Sequence, residues 1–249
     1  MVRRYLKLNL AQLFIFGLIL LSLTLSAQAK IIIPINVPGA TNTFATGVNN
    51  AGQVVGFYLD AGYSRHGFLL SGGLITTFDV PGAIRTYPTG INDSGQIVGS
   101  WSDGSVWWDR GFLRSVGGAF STLDEPSATT GTYPSGINNA GQIVGEYYIQ
   151  GFPHGFLLSG STFTNFDPQG VNGPGFFNGI NNNGVILALS LNYPSSDYFL
   201  LSGGTYSTIS NTNASYSYAI GLNNLNQTVG QYTDKNNNTQ YGFLDLGGR

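Results

Sequence analysis

One loop in this chain gathers residues with evident chemical use: Trp107, Trp108, Asp109 and Arg110 in direct succession. Aromatic faces stack on sugar rings and other flat groups, while a neighbouring carboxylate and guanidinium can hydrogen-bond hydroxyls. In an up-and-down meander the loops after the second and fourth strands of each unit emerge on one face, the variable-loop face. The turns after the first and third emerge on the other. Arg85 and Tyr87 fall on the same face as this loop, so the six form a candidate ligand-binding set. The structural alternative is that one tryptophan fills a gap between neighbouring units, since large aromatics are mostly buried. Little else suggests chemistry. There is no cysteine, which excludes disulfides and thiolates, and the only histidines are His66 and His154. No phosphate loop and no run of carboxylates suited to calcium is present, so neither a metal nor a cofactor is expected.

The elements that position this loop are repeated. GVNNAGQVVG begins at Gly47, GINDSGQIVG at Gly90 and GINNAGQIVG at Gly136, followed by GINNNGVILA from Gly179 and GLNNLNQTVG from Gly221. A period of about 43 residues signals stacked supersecondary units. Within residues 83–126, TYPTGIN, IVGSW, GFLRS and AFSTLD read as four short strands separated by Gly-rich and Asn-rich turns, with no helical period. The turn Asn-x-x-Gly fits a type I turn ending at positive φ. Gly52, Gly95, Gly141 and Gly184 hold that place, and Asn226 holds it in the fifth copy. Asn is the residue that best tolerates the left-handed region after Gly.

Phe68, Phe112, Phe156, Phe199 and Phe243 recur on the third strand, each followed by Leu. Alternate residues of a strand point to opposite faces, so each sheet offers an apolar side to both neighbours. Sheets of this kind stack and close into a ring. The expected fold is all-β: a five-bladed β-propeller of four-stranded antiparallel blades occupying residues 30–249. Its last repeat stops short of a fourth strand, and IIIPINVPGA (Ile31–Ala40) aligns with the fourth-strand segment LITTFDVPGA (Leu74–Ala83). The N-terminal segment is therefore expected to complete blade five.

The units resemble the HAF repeat, a family of exported bacterial repeats. The resemblance rests on HGFLL at His66–Leu70 and His154–Leu158 and on the GINxxGQIVG segments. The family's central Ala is Gly here, and the His is replaced by Arg110, Asp197 and Tyr241 in the other copies. The resemblance implies a propeller-like fold and a surface or extracellular location, and no particular activity.

Location is also read from residues 1–29. A basic start (Arg3, Arg4, Lys7), an apolar stretch and Ala27-Gln28-Ala29 make a secretory signal peptide. Cleavage would leave seven basic residues against twelve acids, a net charge of −5, and no membrane span. Nucleic-acid binding needs clustered Lys and Arg, so it is not expected. Asp60, Asp79, Asp93, Asp103, Asp124, Asp167 and Asp234 recur at turn positions and read as architecture. Asp109, Glu125, Glu146, Asp197 and Asp245 remain and form no local pair. The inner strands carry no acid before the turn, which argues against catalysis.

The sequence thus describes an exported, non-catalytic monomer, secreted, periplasmic or on the cell surface. It would bind a surface protein or carbohydrate through its variable-loop face. The alternatives are a glycan-active enzyme of glycoside hydrolase type at the channel mouth, or a purely structural surface protein. Two converging carboxylates would favour the enzyme, and an exposed Trp107 or Trp108 would favour binding.

Overall fold

The computed structural model describes residues 32–166, 177–190, 197–209 and 213–247. The chain divides into two units, residues 1–34 and 35–249, and the fold described here is that of the second. Blade one is β1 (Asn42–Val48), β2 (Val54–Leu59), β3 (Arg65–Ser71) and β4 (Leu74–Phe78). Blade two is β5 (Arg85–Ile91), β6 (Ile97–Ser102), β7 (Arg110–Arg114) and β8 (Phe120–Leu123). Blade three runs through β9 (Thr132–Ile137), β10 (Ile143–Ile149), β11 (Phe152–Ser159) and β12 (Thr162–Phe166). Blade four is β13 (Phe177–Ile180), β14 (Ile186–Ser190), β15 (Asp197–Ser202) and β16 (Thr205–Ile209). Blade five is β17 (Ala214–Leu222), β18 (Thr228–Asp234) and β19 (Gln240–Asp245). Every sheet is an antiparallel meander in chain order, and no helix occurs among the described residues.

The fifth sheet has three strands among the described residues. The segment expected to supply the fourth strand begins at Ile31, outside the described residues, and residues 32–37 carry no assigned strand. Pro34 removes a backbone donor from the middle of that segment. The turn that should follow it is made, however. Ala40 N donates to Val37 O (3.1 Å), as Ala83 N does to Val80 O (2.9 Å) and Ala128 N to Glu125 O (3.0 Å) at the links between later blades.

The repeated turn behaves as its residue types demand. Gly52, Gly95, Gly141 and Gly184 have φ of 73, 84, 76 and 76°, and Asn226 takes 61° in their place. Its first Asn does more than turn the chain. Asn49, Asn92, Asn138 and Asn181 each donate Nδ2 to the carbonyl of the equivalent Asn one blade on, at 3.0, 3.1, 3.1 and 2.9 Å. A second tie lies on the inner strands. Each is bulged at one equivalent residue, Thr46, Thr89, Ser135, Asn178 or Ile220, and β17 has a second irregularity at Ser215. Thr46 Oγ1 donates to Pro88 O (2.9 Å), Thr89 Oγ1 to Pro134 O (2.8 Å) and Asn178 Nδ2 to Ala219 O (2.9 Å). The motif's opening Gly lets these strands approach, since a Cβ on Gly90 would sit 3.4 Å from Gly136 Cα.

Among the described residues the core consists of four clusters, one at each junction from blade one to blade five. Val55, Val98, Val144 and Leu187 each pack into the next blade and are 0–1% exposed. Burying such a side chain fully is worth about 1.5–3 kcal/mol. Their counterpart in blade five, Val229, is 48% exposed, and Val48 of blade one is exposed as well. Among the described residues the fifth junction is therefore packed less tightly than the other four.

Candidate functional site: the axial cavity on the loop face

The five inner strands surround one axis with a cavity toward each end. The cavity on the turn face (about 220 Å³) is ringed by the repeated asparagines. Asp93 substitutes for one of them. It accepts from Asn50 N, Asn50 Nδ2 and Asn139 Nδ2, which hold its carboxyl below the usual range. That acid is occupied by architecture, as its turn position implies.

The loop-face cavity is larger, about 580 Å³, within the range of small-molecule sites. The bulged residues Thr46, Thr89, Ser135 and Asn178 lie on its wall, together with Tyr87, Tyr198, Tyr218 and Glu146. Aromatic rings recur here because one inner-strand position carries Phe44, Tyr87, Tyr133 and Tyr218 in the described blades. Phe57 stacks on Phe44 at 4.7 Å and tilts against Tyr87 at 4.7 Å. The Arg65 guanidinium sits over Phe57 (5.6 Å) and Tyr87 (5.4 Å).

Glu146 is the one carboxyl on this wall among the described residues. It stands on β10 opposite Tyr133 and accepts a hydrogen bond from the Tyr148 hydroxyl at 3.2 Å. Tyr133 and Tyr148 meet edge to face at 5.4 Å. Desolvation pushes the Glu146 pKa to about 7, against the weaker lowering effect of the Tyr148 bond. Burial and the neighbouring Glu146 carboxylate together raise Tyr148. The buried Tyr198 is raised by burial and then by Tyr216 and Tyr218, against a weaker lowering effect of Asn178.

The six sequence candidates divide. Arg85 and Asp109 pair, with Oδ1 receiving Nη2 at 2.8 Å and Nε at 3.1 Å. Asp109 also clips its loop to blade three: its backbone N donates to the Tyr133 hydroxyl (3.3 Å), and its carbonyl accepts from Thr132 N (3.3 Å). Tyr87 lines the cavity itself. Arg110 turns to the Trp101 ring, 5.8 Å away, and so serves blade two. Trp108 is half-buried, while Trp107 is 97% exposed. Glu146 is missed when acids are sought on the inner strands alone, because it reaches the cavity from the second strand of its blade. The signal for it in the sequence is its own position, which holds Phe57, Ser100, Leu189 and Gln231 in the other blades.

A separate charged cluster on blade one is structural. His66 Nδ1 lies 2.9 Å from Asp79 Oδ2, and Nε2 lies 3.4 Å from Asp60 Oδ2. Burial opposes protonation of His66, but the two carboxylates outweigh it and its pKa is raised. The stabilisation is therefore full below the unfolded value of about 6.5 and is lost as pH rises through the folded value. His66→Gln should lower the melting temperature at about pH 5.5 and change it little at about pH 8.5. Equal losses at both would show that the ion pairs contribute nothing.

Fold and site together define an all-β, five-bladed propeller with an aromatic-walled cavity on its axis. Solved structures share this fold. Streptogramin B lyase is similar at 12% identity and a TM-score of 0.54, over 82% of this chain and 69% of that one. TolB from Acinetobacter baumannii is similar at 11% and 0.52, over 84% and 55%. A chain of the nidogen/laminin complex is similar at 16% and 0.50, over 85% and 78%. At these identities the likeness is one of fold. No protein-family model matches the chain, and no curated protein does either.

Proposed function

We propose that this is an exported propeller of HAF-repeat type that binds a glycan through its loop face. The observation that carries the proposal is the aromatic-walled axial cavity opening on the face where Trp107 stands almost fully exposed. Exposed and cavity-lining rings offer stacking platforms for sugars, and the side-chain oxygens of Thr89, Ser135 and Asn178, whose donors are engaged by backbone carbonyls, offer acceptors beside them. Glycoside hydrolysis uses two carboxyl groups flanking the scissile bond. Among the described residues the cavity wall carries Glu146 alone, and Asp109 is committed to Arg85, which favours binding over catalysis.

A glycan array probed with wild type, Trp107→Ala and Tyr87→Ala tests the proposal. The expected result is a defined set of bound glycans, with signals falling about tenfold in each variant, since one lost stacking ring is worth about 1 kcal/mol or more. No bound glycan, or signals unchanged in both variants, would remove it.

A further inference from the structure

The loop-face cavity holds a carboxyl with no cation among the described residues. Glu146 meets the Tyr148 hydroxyl and no basic group. The nearby guanidinium groups are engaged: Arg85 pairs with Asp109, Arg65 lies over Phe57 and Tyr87, and Arg110 lies over Trp101. Around the carboxyl and across the cavity are the rings of Tyr87, Tyr133, Tyr148, Tyr198 and Tyr218. A half-buried anion without a counter-ion is a costly arrangement. Ring faces are negative, so they attract the same charge that the carboxylate lacks.

We propose that this cavity binds an organic cation, a ligand with a methylated or quaternary ammonium head, with Glu146 as counter-ion and Tyr87 and Tyr218 as the accessible ring walls, Tyr218 being backed by the buried Tyr198 ring. A compact ammonium such as Lys carries a tight hydration shell, and stripping it in a cavity of rings would be unfavourable. A methylated head sheds water readily and presents charge over a wide apolar surface, which suits ring faces. The fold does not require the acid, since Phe57, Ser100, Leu189 and Gln231 fill its place in the other blades. The inference rests on the loop-face cavity being the binding site. It names the charged part of what enters, and a glycan bearing such a head satisfies both readings.

Calorimetric titration of the full chain with choline and with its neutral isostere 3,3-dimethylbutan-1-ol isolates the charge. Choline should bind at least tenfold more tightly than the isostere. Glu146→Gln should abolish that preference, and Tyr218→Leu, at a partly exposed ring, should weaken choline binding with the melting temperature retained. Equal binding of the two probes, no binding of either, or a preference that survives Glu146→Gln would overturn the inference. Glycan binding with no preference for choline would overturn this inference and leave the glycan reading standing. Choline binding without glycan signals would do the reverse.

Discussion

Glu146→Gln should make the protein more stable at pH 8 and leave it unchanged at pH 4. The carboxyl titrates near 4.5 in the unfolded chain and at about 7 in the folded one, chiefly through desolvation. A folded pKa raised above the unfolded value means that stability is full below about 4.5 and is lost as pH rises through about 7. A pKa difference of one between the two states corresponds to about 1.4 kcal/mol, so the carboxylate destabilises the fold by up to about 3 kcal/mol at pH 8. Gln keeps the shape and removes the charge. For a chain of this size that corresponds to a rise of about 6–12 °C in melting temperature. Thermal melts of both proteins at the two pH values make the comparison. A variant no more stable than wild type at pH 8 would mean that Glu146 is well hydrated. The expected gain in stability coincides with the expected loss of cation binding, the pattern of a residue placed for use at the expense of the fold.

Asn138→Ala and Asn223→Ala should differ sharply although both remove the same residue of the same motif. Asn138 is 2% exposed and makes four hydrogen bonds. Nδ2 donates to Gln142 Oε1 (2.8 Å) and Asn181 O (3.1 Å), and Oδ1 accepts from Ala140 N (3.1 Å) and Gln142 N (3.0 Å). Truncation strands the carbonyl of the buried Asn181 and leaves the half-buried Gln142 without its partner, at roughly 1–3 kcal/mol for a buried group left unsatisfied, so a loss of about 2–3 kcal/mol is expected. Asn223 is exposed, and its side chain bonds only within its own turn, to Gln227 and from Leu225 and Gln227. Water can replace these contacts, and a loss of about 1 kcal/mol is expected. Denaturant midpoints at constant m-value measure both. Equal losses would show that the bond across blades carries no energy.

The fold was legible because its determinants are local and repeated five times. Strand boundaries follow from Gly and Asn, and the Asn226 exchange marks a positive-φ position by residue type alone. The partners of the motif's first Asn and of Thr46 and Thr89 were not legible. Their bonds reach across about 43 residues, and a turn residue or a bulged strand residue gives no sign of that reach. The candidate site was half legible. Trp107, Trp108, Asp109 and Arg110 stood out by failing to repeat, but the pairing of Asp109 with Arg85, 24 residues away, did not. Glu146 also failed to repeat, but an isolated acid carries no local signal until the ring around the axis gives it neighbours.

The less tightly packed fifth junction gives the molecule the thermodynamics of a linear array bent round an axis. In a closed cycle, detaching any unit breaks two interfaces. Here, among the described residues, blades one and five meet over the least packed of the five junctions, so opening should begin at these two blades and spread inward. The asparagine bonds add a direction: among the described residues blade one donates without receiving, and blade five receives without donating. Blades two and three lie in the interior of this array, tied on both sides. They carry Arg85, Tyr87, Asp109, Tyr133 and Glu146, so much of the binding chemistry sits on the blades that are last to open.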